Sequence, residues 1–412
     1  MSAELRRSLG LLDAVVIGLG AMVGAGIFVA LGPAAGAAGS GGGLLVALGV
    51  AAVVAYCNAM ASARLAARYP RSGGTYVYGR ECLGSFWGYL AGWAFVVGKT
   101  ASCAAMALTV GAYVWPEQAH AVAVAAVVAL TAVNYRGVQK SALLVRVIVG
   151  LVLAVLAAVV VVTLEAGGAA PLAPGGELTA GGVLQASGLL FFAFAGYARI
   201  ATLGEEVRDP ARTIPRAVPV ALGITLVVYV LVAVGVLGVL GADALADSSA
   251  PLTDAVRAAG ADGLVPVVAV GAAVAALGSL LSLILGVSRT TLAMARDAYL
   301  PTALAVVHPR FQVPHRAELA VGAVVAVVAA TVDVRGAIGF SSFGVLVYYG
   351  IANAAVWTLG PAHRPLAAVG LAGCAALAFA LPLGSVLAGS GVVAAGVVAW
   401  AVSRGRAVPP RP

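Results

Sequence analysis

Long apolar stretches separated by short polar turns run along the whole chain. A helix needs about 20 mostly apolar residues to cross a bilayer, and the spacing of the turns gives twelve such stretches. They are residues 11–38, 44–66, 85–115, 118–133, 141–164, 181–203, 216–240, 263–293, 318–333, 337–359, 366–381 and 384–402. The pattern predicts an all-α integral membrane protein of about twelve transmembrane helices.

Composition excludes several classes of protein. Of the 412 residues, 62% are hydrophobic and 10% are charged, whereas soluble domains carry about 25% charged residues. The four cysteines lack metal-ligand spacing, and the spans hold no convergent His, Asp or Cys groups at membrane depth. We therefore expect no metal, no cofactor, no nucleic-acid partner and no enzyme activity.

The charges indicate an orientation. Twenty of the 24 basic residues fall at alternate span ends, which we call the basic face. They are Arg6, Arg7, Arg64, Arg68, Arg71, Arg80, Arg136, Lys140, Arg146, Arg208, Arg212, Arg216, Arg289, Arg296, Arg310, Arg316, Arg364, Arg404, Arg406 and Arg411. Retained Lys and Arg mark the cytoplasmic side of a membrane. The sequence predicts a multi-pass protein of the cytoplasmic (inner) cell membrane with both termini cytoplasmic.

Two spans carry glycines where a helix would be expected to continue. The first contains VIGLGAMVGAGIFVALGP, residues 16–33, and the sixth contains LLFFAFAGYARIATLGEEV, residues 189–207. Each glycine set alone is equally typical of close helix packing. The two segments occupy the same place in two consecutive groups of five spans, however. Paired interruptions of this kind indicate a transporter binding site at the membrane midplane, so we predict that both helices are broken, the first around 24–26.

Several stretches resemble the amino acid–polyamine–organocation (APC) superfamily of permeases. They run in the family's order from Leu9 to Ala317, and they are GLGAMVGAGIF, YPRSGGTYVYGRECLGSFWGYLAGW, NYRGVQKSA, FFAFAGY with EEVRDPARTIPRA, and SRTTLAMARDAYLP. The resemblance implies two inverted five-helix repeats with helices one and six broken, plus two peripheral helices. The first repeat would be 1–165, the second 181–359 and the peripheral pair 366–403.

The resemblance also implies a substrate site built from main-chain groups. The carboxylate of an amino acid would lie on the backbone of Val23, Gly24, Ala25, Gly26 and Ile27. Its amino group would lie on the carbonyls beside Gly196, those of Phe192, Ala193 and Ala195. Amide N–H groups at a helix start suit an anion. Phe191, Phe194 and Tyr197 are candidate pocket walls, with plain packing as the alternative.

Lys99 is a charged residue deep in the third span. It lies fourteen residues beyond Ser85, or about 21 Å along a helix, where snorkelling to an interface is difficult. We expect its partners to be water or backbone carbonyls. A role in coupling, either by cycling a proton or by replacing a coupling sodium, is one interpretation, and an amine that holds two helices together is the other. Many proton-coupled members of the family carry a lysine in helix five, where this chain has Val152.

Charged residues follow the sixth span at the basic face. Arg199, Glu205 and Glu206 are candidates for a cytoplasmic gate, in which the glutamates would pair with arginines of 64–80 or 289–296. A solvated loop that obeys the charge bias is the alternative.

Together these features predict a secondary active transporter that moves an amino acid by alternating access, with proton-coupled uptake. Its partners would be a small-molecule amino acid, protons and the lipid bilayer. Amino acid/amine exchange is the alternative, followed by a channel. No acidic side chain lies near either interruption, which favours small neutral or apolar amino acids.

Overall fold

A computed structural model describes residues 9–69, 73–137, 142–167, 178–201 and 206–405. These residues are almost entirely helical, and their one β-bridge joins Leu9 to Val207. Eleven stretches are long and apolar enough to cross a membrane. The all-α membrane architecture predicted from the sequence is therefore confirmed.

Eight helices make up the first half of the chain. They are α1 (Leu11–Met22), α2 (Ala25–Val29), α3 (Leu31–Ala38), α4 (Gly41–Arg68), α5 (Thr75–Leu83), α6 (Ser85–Val114), α7 (Ala119–Tyr135) and α8 (Ala142–Ala166). The first predicted span thus consists of α1 to α3. The short helix α5 lies in the loop that was predicted between the second and third spans.

Nine helices follow. They are α9 (Ala180–Phe194), α10 (Ala198–Ala201), α11 (Pro210–Asp247), α12 (Pro251–Ala258), α13 (Val265–Arg296), α14 (His315–Thr331), α15 (Val334–Trp357), α16 (Arg364–Ala380) and α17 (Leu383–Gly405). Gly241 interrupts α11 with φ +72°. Helix α14, predicted as the ninth span, has 17 residues. It is about 25 Å long, short for a bilayer core of about 30 Å, so it is absent from the eleven.

Side-chain caps fix several helix starts on the side opposite the basic face. Ser40 Oγ accepts a hydrogen bond from the amide of Gly43 at the start of α4 (3.1 Å). Thr179 Oγ1 caps α9 and Asp333 caps α15 in the same way. A cap satisfies amides that have no acceptor within their own helix. Each of these three capping residues is the last residue of a loop, directly before an apolar helix begins.

Helices α6 and α15 form the centre of the molecule. A Cβ atom on Gly344 would lie only 2.9 Å from the Cα of Gly98, so the two backbones touch. Both helices are largely buried, whereas α17 is mostly exposed. Helix α6 therefore presents its residues, including Lys99, to the interior rather than to lipid.

Candidate functional site

Helix one is interrupted at Val23 and Gly24. Helix α1 ends at Met22 and α2 starts at Ala25, with φ/ψ of −77°/58° at Val23 and −115°/−146° at Gly24 between them. The amide of Val23 donates to the Leu19 carbonyl and that of Gly24 to the Met22 carbonyl, both at 2.7 Å. The interruption thus lies just before the predicted 24–26, because Ala25 and Gly26 are already helical.

The first amides of α2 point out of the interruption. A helix leaves its first-turn N–H groups without an acceptor of its own, and no side chain caps α2. Of the five residues proposed for the carboxylate, Ala25, Gly26 and Ile27 therefore keep available amides. Those of Val23 and Gly24 are used in the turn.

Helix six differs from the prediction. Its interruption is not an unwound segment but a single 3₁₀ turn, Ala195–Tyr197, between α9 and α10. The amide of Ala195 donates to the Phe192 carbonyl. The φ/ψ values of Phe194, Ala195 and Ala198 all stay near the right-handed helical region, so the backbone remains close to helical through the turn.

Two glycines allow the interrupted helices to touch. A Cβ atom on Gly26 would lie 2.6 Å from the Cα of Ala193, and one on Gly196 would lie 2.1 Å from the Ala21 carbonyl oxygen. Real Cβ atoms do not approach backbone so closely, so a larger residue would push the helices apart. At these two positions the close-packing interpretation of the glycines is correct.

Tyr229 connects the two interruptions. Its hydroxyl, on α11, lies 2.7 Å from the Met22 carbonyl oxygen and 3.0 Å from that of Ala193. A hydroxyl has one proton, so it serves one carbonyl at a time and lies between the two. The sequence analysis missed this residue. The available signal was a single tyrosine in the otherwise apolar stretch ITLVVYVLVAVG, 224–235.

Lys99 reaches the turn in helix six. Its Nζ donates to the Ala195 carbonyl oxygen at 3.4 Å, and the Tyr349 hydroxyl donates to the same oxygen at 3.3 Å. The lysine is 8% exposed. The expectation of a backbone carbonyl as its partner is confirmed, and its role in coupling stays a prediction.

A buried hydroxyl faces the interruption of helix one. Ser279 Oγ on α13 would lie 2.3 Å from a Cβ on Gly24, and it has no hydrogen-bond partner within the described part of the chain. Buried hydroxyls are nearly always paired, so this group is suited to meet a polar ligand. Sequence analysis did not single out Ser279, since isolated serines are common in such spans.

The site is closed on the side of α12. The Tyr113 hydroxyl donates to the Phe28 carbonyl (2.7 Å) and accepts from the Leu252 amide (3.3 Å). The rings of Phe28 and Tyr113 also meet edge to face, 5.8 Å apart. One tyrosine thereby links the first helix, α6 and the loop helix α12 above the interruption.

The three aromatic candidates surround the turn in helix six and are fully buried. Phe191 and Tyr197 pack on Tyr349, with ring centroids 5.9 and 5.0 Å away. Phe194 packs on Tyr229 at 5.1 Å. Each therefore contacts a tyrosine that bonds to a carbonyl at an interruption.

At the basic face, the gate residues are only partly described. Glu205 lies outside the described residues. Arg199 lies on α10, where the nearby charge of Glu206 stabilises its charged form and that of Arg289 destabilises it. The carbonyl of Glu206 accepts from the Leu9 amide at 3.1 Å, which ties the start of helix one to this loop.

Other charged pairs occur at the same face. Arg80 on α5 lies 2.9 Å from Asp297 at the end of α13, so within the described residues this arginine pairs with an aspartate. The Tyr76 hydroxyl bonds to the same carboxylate, and burial, followed by that carboxylate, raises the pKa of Tyr76. Asp13 of α1 pairs with Arg146 of α8. None of these pairings was predicted.

Glu318 is an acidic residue that the sequence analysis overlooked, because it lies at the predicted start of a span. It is fully buried in the first turn of α14, and neither carboxyl oxygen has a hydrogen-bond partner in the described part of the molecule. Arg289 supplies a favourable charge nearby.

Comparison with known proteins identifies the family. Residues 9–403 match the family described as amino acid permease. This chain belongs to that family. It is therefore a transporter rather than an enzyme, as predicted, and its membership of the APC superfamily is confirmed.

Named relatives cover most of this amino acid permease. An uncharacterized transporter of Mycobacterium tuberculosis is 72% identical over 407 residues, 97% of this chain and 92% of that protein. The cationic amino acid transporter 4 of Homo sapiens is 29% identical over 382 residues, 85% of this chain and 59% of that protein. A branched-chain amino acid permease of Bacillus subtilis is 27% identical over 383 residues, 86% of this chain and 81% of that protein.

Proposed function

We propose that this permease is a secondary active transporter that moves an amino acid across the cytoplasmic membrane by alternating access, with proton-coupled uptake. The observation that carries the proposal is the Tyr229 hydroxyl, which lies within hydrogen-bonding distance of carbonyls at both interruptions. The close approach of Gly26 to Ala193 places the amide end of α2 beside the carbonyl end of α9. Such a pair of poles suits a zwitterion.

The substrate carboxylate binds at the segment Val23–Ile27 in this proposal. The amides of Ala25, Gly26 and Ile27 receive it, and Ser279 adds a hydroxyl. Helix N-termini of this kind stabilise anions through their N–H groups and the helix dipole. The two residues before Ala25 form the turn that exposes these amides.

The amino group binds at the other pole, at the carbonyls of Phe192, Ala193 and Ala195 beside Gly196. Each of these carbonyls already accepts from a protein donor. A carbonyl oxygen has two acceptor positions, so an oxygen that already accepts one bond is able to accept a second. Phe191, Phe194 and Tyr197 form the walls around the side chain.

A small neutral or apolar amino acid is the proposed substrate. Lys99 brings a positive charge to the amino-group pole, and two like charges about 4 Å apart repel by about 4 kcal/mol at an effective dielectric constant of 20. The substrate ammonium therefore displaces the lysine from Ala195, and a second cationic group on the substrate would still repel the withdrawn lysine. The branched-chain permease among the relatives supports this choice, while the relative named for cationic amino acids leaves basic ones to be tested.

The proposed orientation places the basic face and both termini in the cytoplasm. Arg199, Glu205 and Glu206 form the cytoplasmic gate in this proposal. The hydrogen bond from the Leu9 amide to the Glu206 carbonyl supports a link between this loop and the start of helix one. Lys99 is the proposed coupling residue.

The test is uptake of radiolabelled amino acids by the purified protein in liposomes, with and without an inward proton gradient. We expect saturable uptake of a neutral amino acid that accumulates only with the gradient. Uptake that requires an amino acid inside the liposome, and that ignores the gradient, would favour the alternative of amino acid/amine exchange. Flux that never saturates would indicate a channel, and no flux for any amino acid would refute the proposal.

A further inference from the structure

Lys99 and the amino group of the proposed substrate require the same carbonyl oxygen. We infer that the Lys99 ammonium replaces the substrate ammonium on Ala195 whenever the substrate leaves, and that this replacement lets the carrier return without substrate. The inference rests on the proposed function and deepens it, because it assigns net transport rather than obligatory exchange to this site.

The contacts at Ala195 make the two ammonium groups mutually exclusive. Its carbonyl oxygen accepts from Lys99 Nζ at 3.4 Å and from the Tyr349 hydroxyl at 3.3 Å. Both acceptor positions of the oxygen are then filled. A substrate ammonium can bind there only if a protein donor moves away, and repulsion between like charges selects the lysine as the donor that moves.

Lys99 is the cationic donor among the groups at this pole. The Phe192 carbonyl accepts from the amide of Ala195, and the Ala193 carbonyl accepts from the Tyr229 hydroxyl. Both of those donors are neutral. The carboxyl-terminal end of α9 carries the negative pole of the helix dipole, and the lysine supplies the positive charge that a substrate would otherwise bring.

The position of Lys99 suits this exchange of places. It projects from α6, whose backbone is held against α15 by the contact between Gly98 and Gly344. Its side chain has four methylene groups and three donors, so the ammonium can withdraw while the helix stays fixed. Tyr349 remains on the Ala195 carbonyl when it does.

The consequence concerns the return step of the transport cycle. Without a cation beside it, the negative carboxyl-terminal end of α9 would be uncompensated when the empty carrier changes conformation. That cost slows the return of the empty carrier, so that transport proceeds only by exchange of one substrate for another. With Lys99 in place, the pole is compensated both with and without substrate. Removing the Lys99 amine should therefore slow net transport more than exchange, whereas the wild-type protein supports both.

The experiment uses the full chain in liposomes loaded with radiolabelled L-leucine or L-alanine, at the same pH on both sides. Efflux into buffer with the unlabelled amino acid measures exchange, and efflux into amino-acid-free buffer measures net transport. For Lys99→Met we expect the ratio of net transport to exchange to fall by about tenfold or more relative to wild type, the factor that an unmade buried hydrogen bond corresponds to. The half-saturation concentration for exchange should fall, because a competitor for the site is gone.

Two variants serve as matched controls. Lys99→Arg keeps the charge and should keep net transport. Tyr349→Phe removes the neutral donor from the same carbonyl, and we expect it to change exchange and net transport by the same factor. Size-exclusion profiles establish that each variant is folded.

Two results would overturn the inference. If Lys99→Met kept both exchange and net transport, the amine would be dispensable for the return of the empty carrier. If a folded Lys99→Met protein lost both equally, the amine would act in substrate translocation itself. Absence of exchange by the wild-type protein with either amino acid would instead overturn the proposed function, and the inference with it.

Discussion

Replacing Tyr229 with phenylalanine removes one oxygen atom from the place where the two interrupted helices meet. In the wild-type protein this hydroxyl lies 2.7 Å from the Met22 carbonyl and 3.0 Å from the Ala193 carbonyl. The Met22 carbonyl keeps a second donor, the Gly24 amide. The change therefore costs one good hydrogen bond and leaves the Ala193 carbonyl under-satisfied. A buried group left without its partner costs about 1–3 kcal/mol.

We expect Tyr229→Phe to raise the half-saturation concentration for the amino acid by about tenfold, since 1.4 kcal/mol corresponds to a factor of ten in binding. The physical reason is that the hydroxyl joins the end of α1, just before the interruption of helix one, to the carbonyl pole at the end of α9. Saturation curves for exchange in liposomes measure the change. Thermal unfolding of the purified protein, followed in parallel, measures its cost in stability.

Tyr89→Phe is the matched control. The Tyr89 hydroxyl is also buried, and it donates to the Gly396 carbonyl at 2.9 Å, joining α6 to α17 far from both interruptions. The control should lose a similar amount of stability and keep its half-saturation concentration. If both variants raised that concentration equally, or if neither did, Tyr229 would be a structural residue only, and the reasoning from the bridged interruptions would be refuted.

Three further changes test the packing and the charges. Gly196→Ala would place a Cβ atom 2.1 Å from a backbone oxygen of helix one. Because overpacking costs about 1–3 kcal/mol, we expect a lower melting temperature and little transport. Gly223→Ala, with open space around it, should match wild type in both assays. Asp297→Asn weakens a pair with Arg80 whose side chains are 39% and 37% exposed, so its effect on the free energy of unfolding should stay below about 1 kcal/mol; a larger loss would show that the contact does more than join α5 to α13. Glu318→Gln replaces by a neutral group a buried carboxyl that has no hydrogen-bond partner among the described residues. Because an unpaired buried charge is costly, the melting temperature at neutral pH should rise or stay unchanged, and a clear fall would mean that the carboxylate has a partner.

Much of the architecture could be predicted from the sequence because the relevant signals are local. A run of apolar residues long enough to span lipid becomes a helix wherever it lies, so eleven predicted spans match stretches that can cross a membrane. Residue 333 illustrates the same point, since an aspartate before an apolar run caps the helix that follows. The predicted ninth helix is also present, as α14, but its 17 residues leave it outside the eleven.

The candidate site was predicted in outline and missed in detail. Glycine-rich segments in matching positions pointed to helices one and six, and both helices are irregular there. Whether a glycine marks unwinding or close contact could not be read from the sequence, because the answer depends on what lies opposite. Gly196 lies against the backbone of Ala21, some 175 residues earlier, and its helix tightens rather than opens.

The sequence by itself therefore determined that the chain is a membrane protein, where most of its membrane-crossing helices lie, and which two of them are interrupted. Only the tertiary structure decided which donor meets which carbonyl. Tyr229, Tyr349 and Lys99 are ordinary residues of three separate spans, and each acquires its importance by ending within hydrogen-bonding distance of a main-chain oxygen on another helix. Hydropathy depends on a residue and its neighbours in sequence, whereas a hydrogen bond depends on the positions of two helices at once.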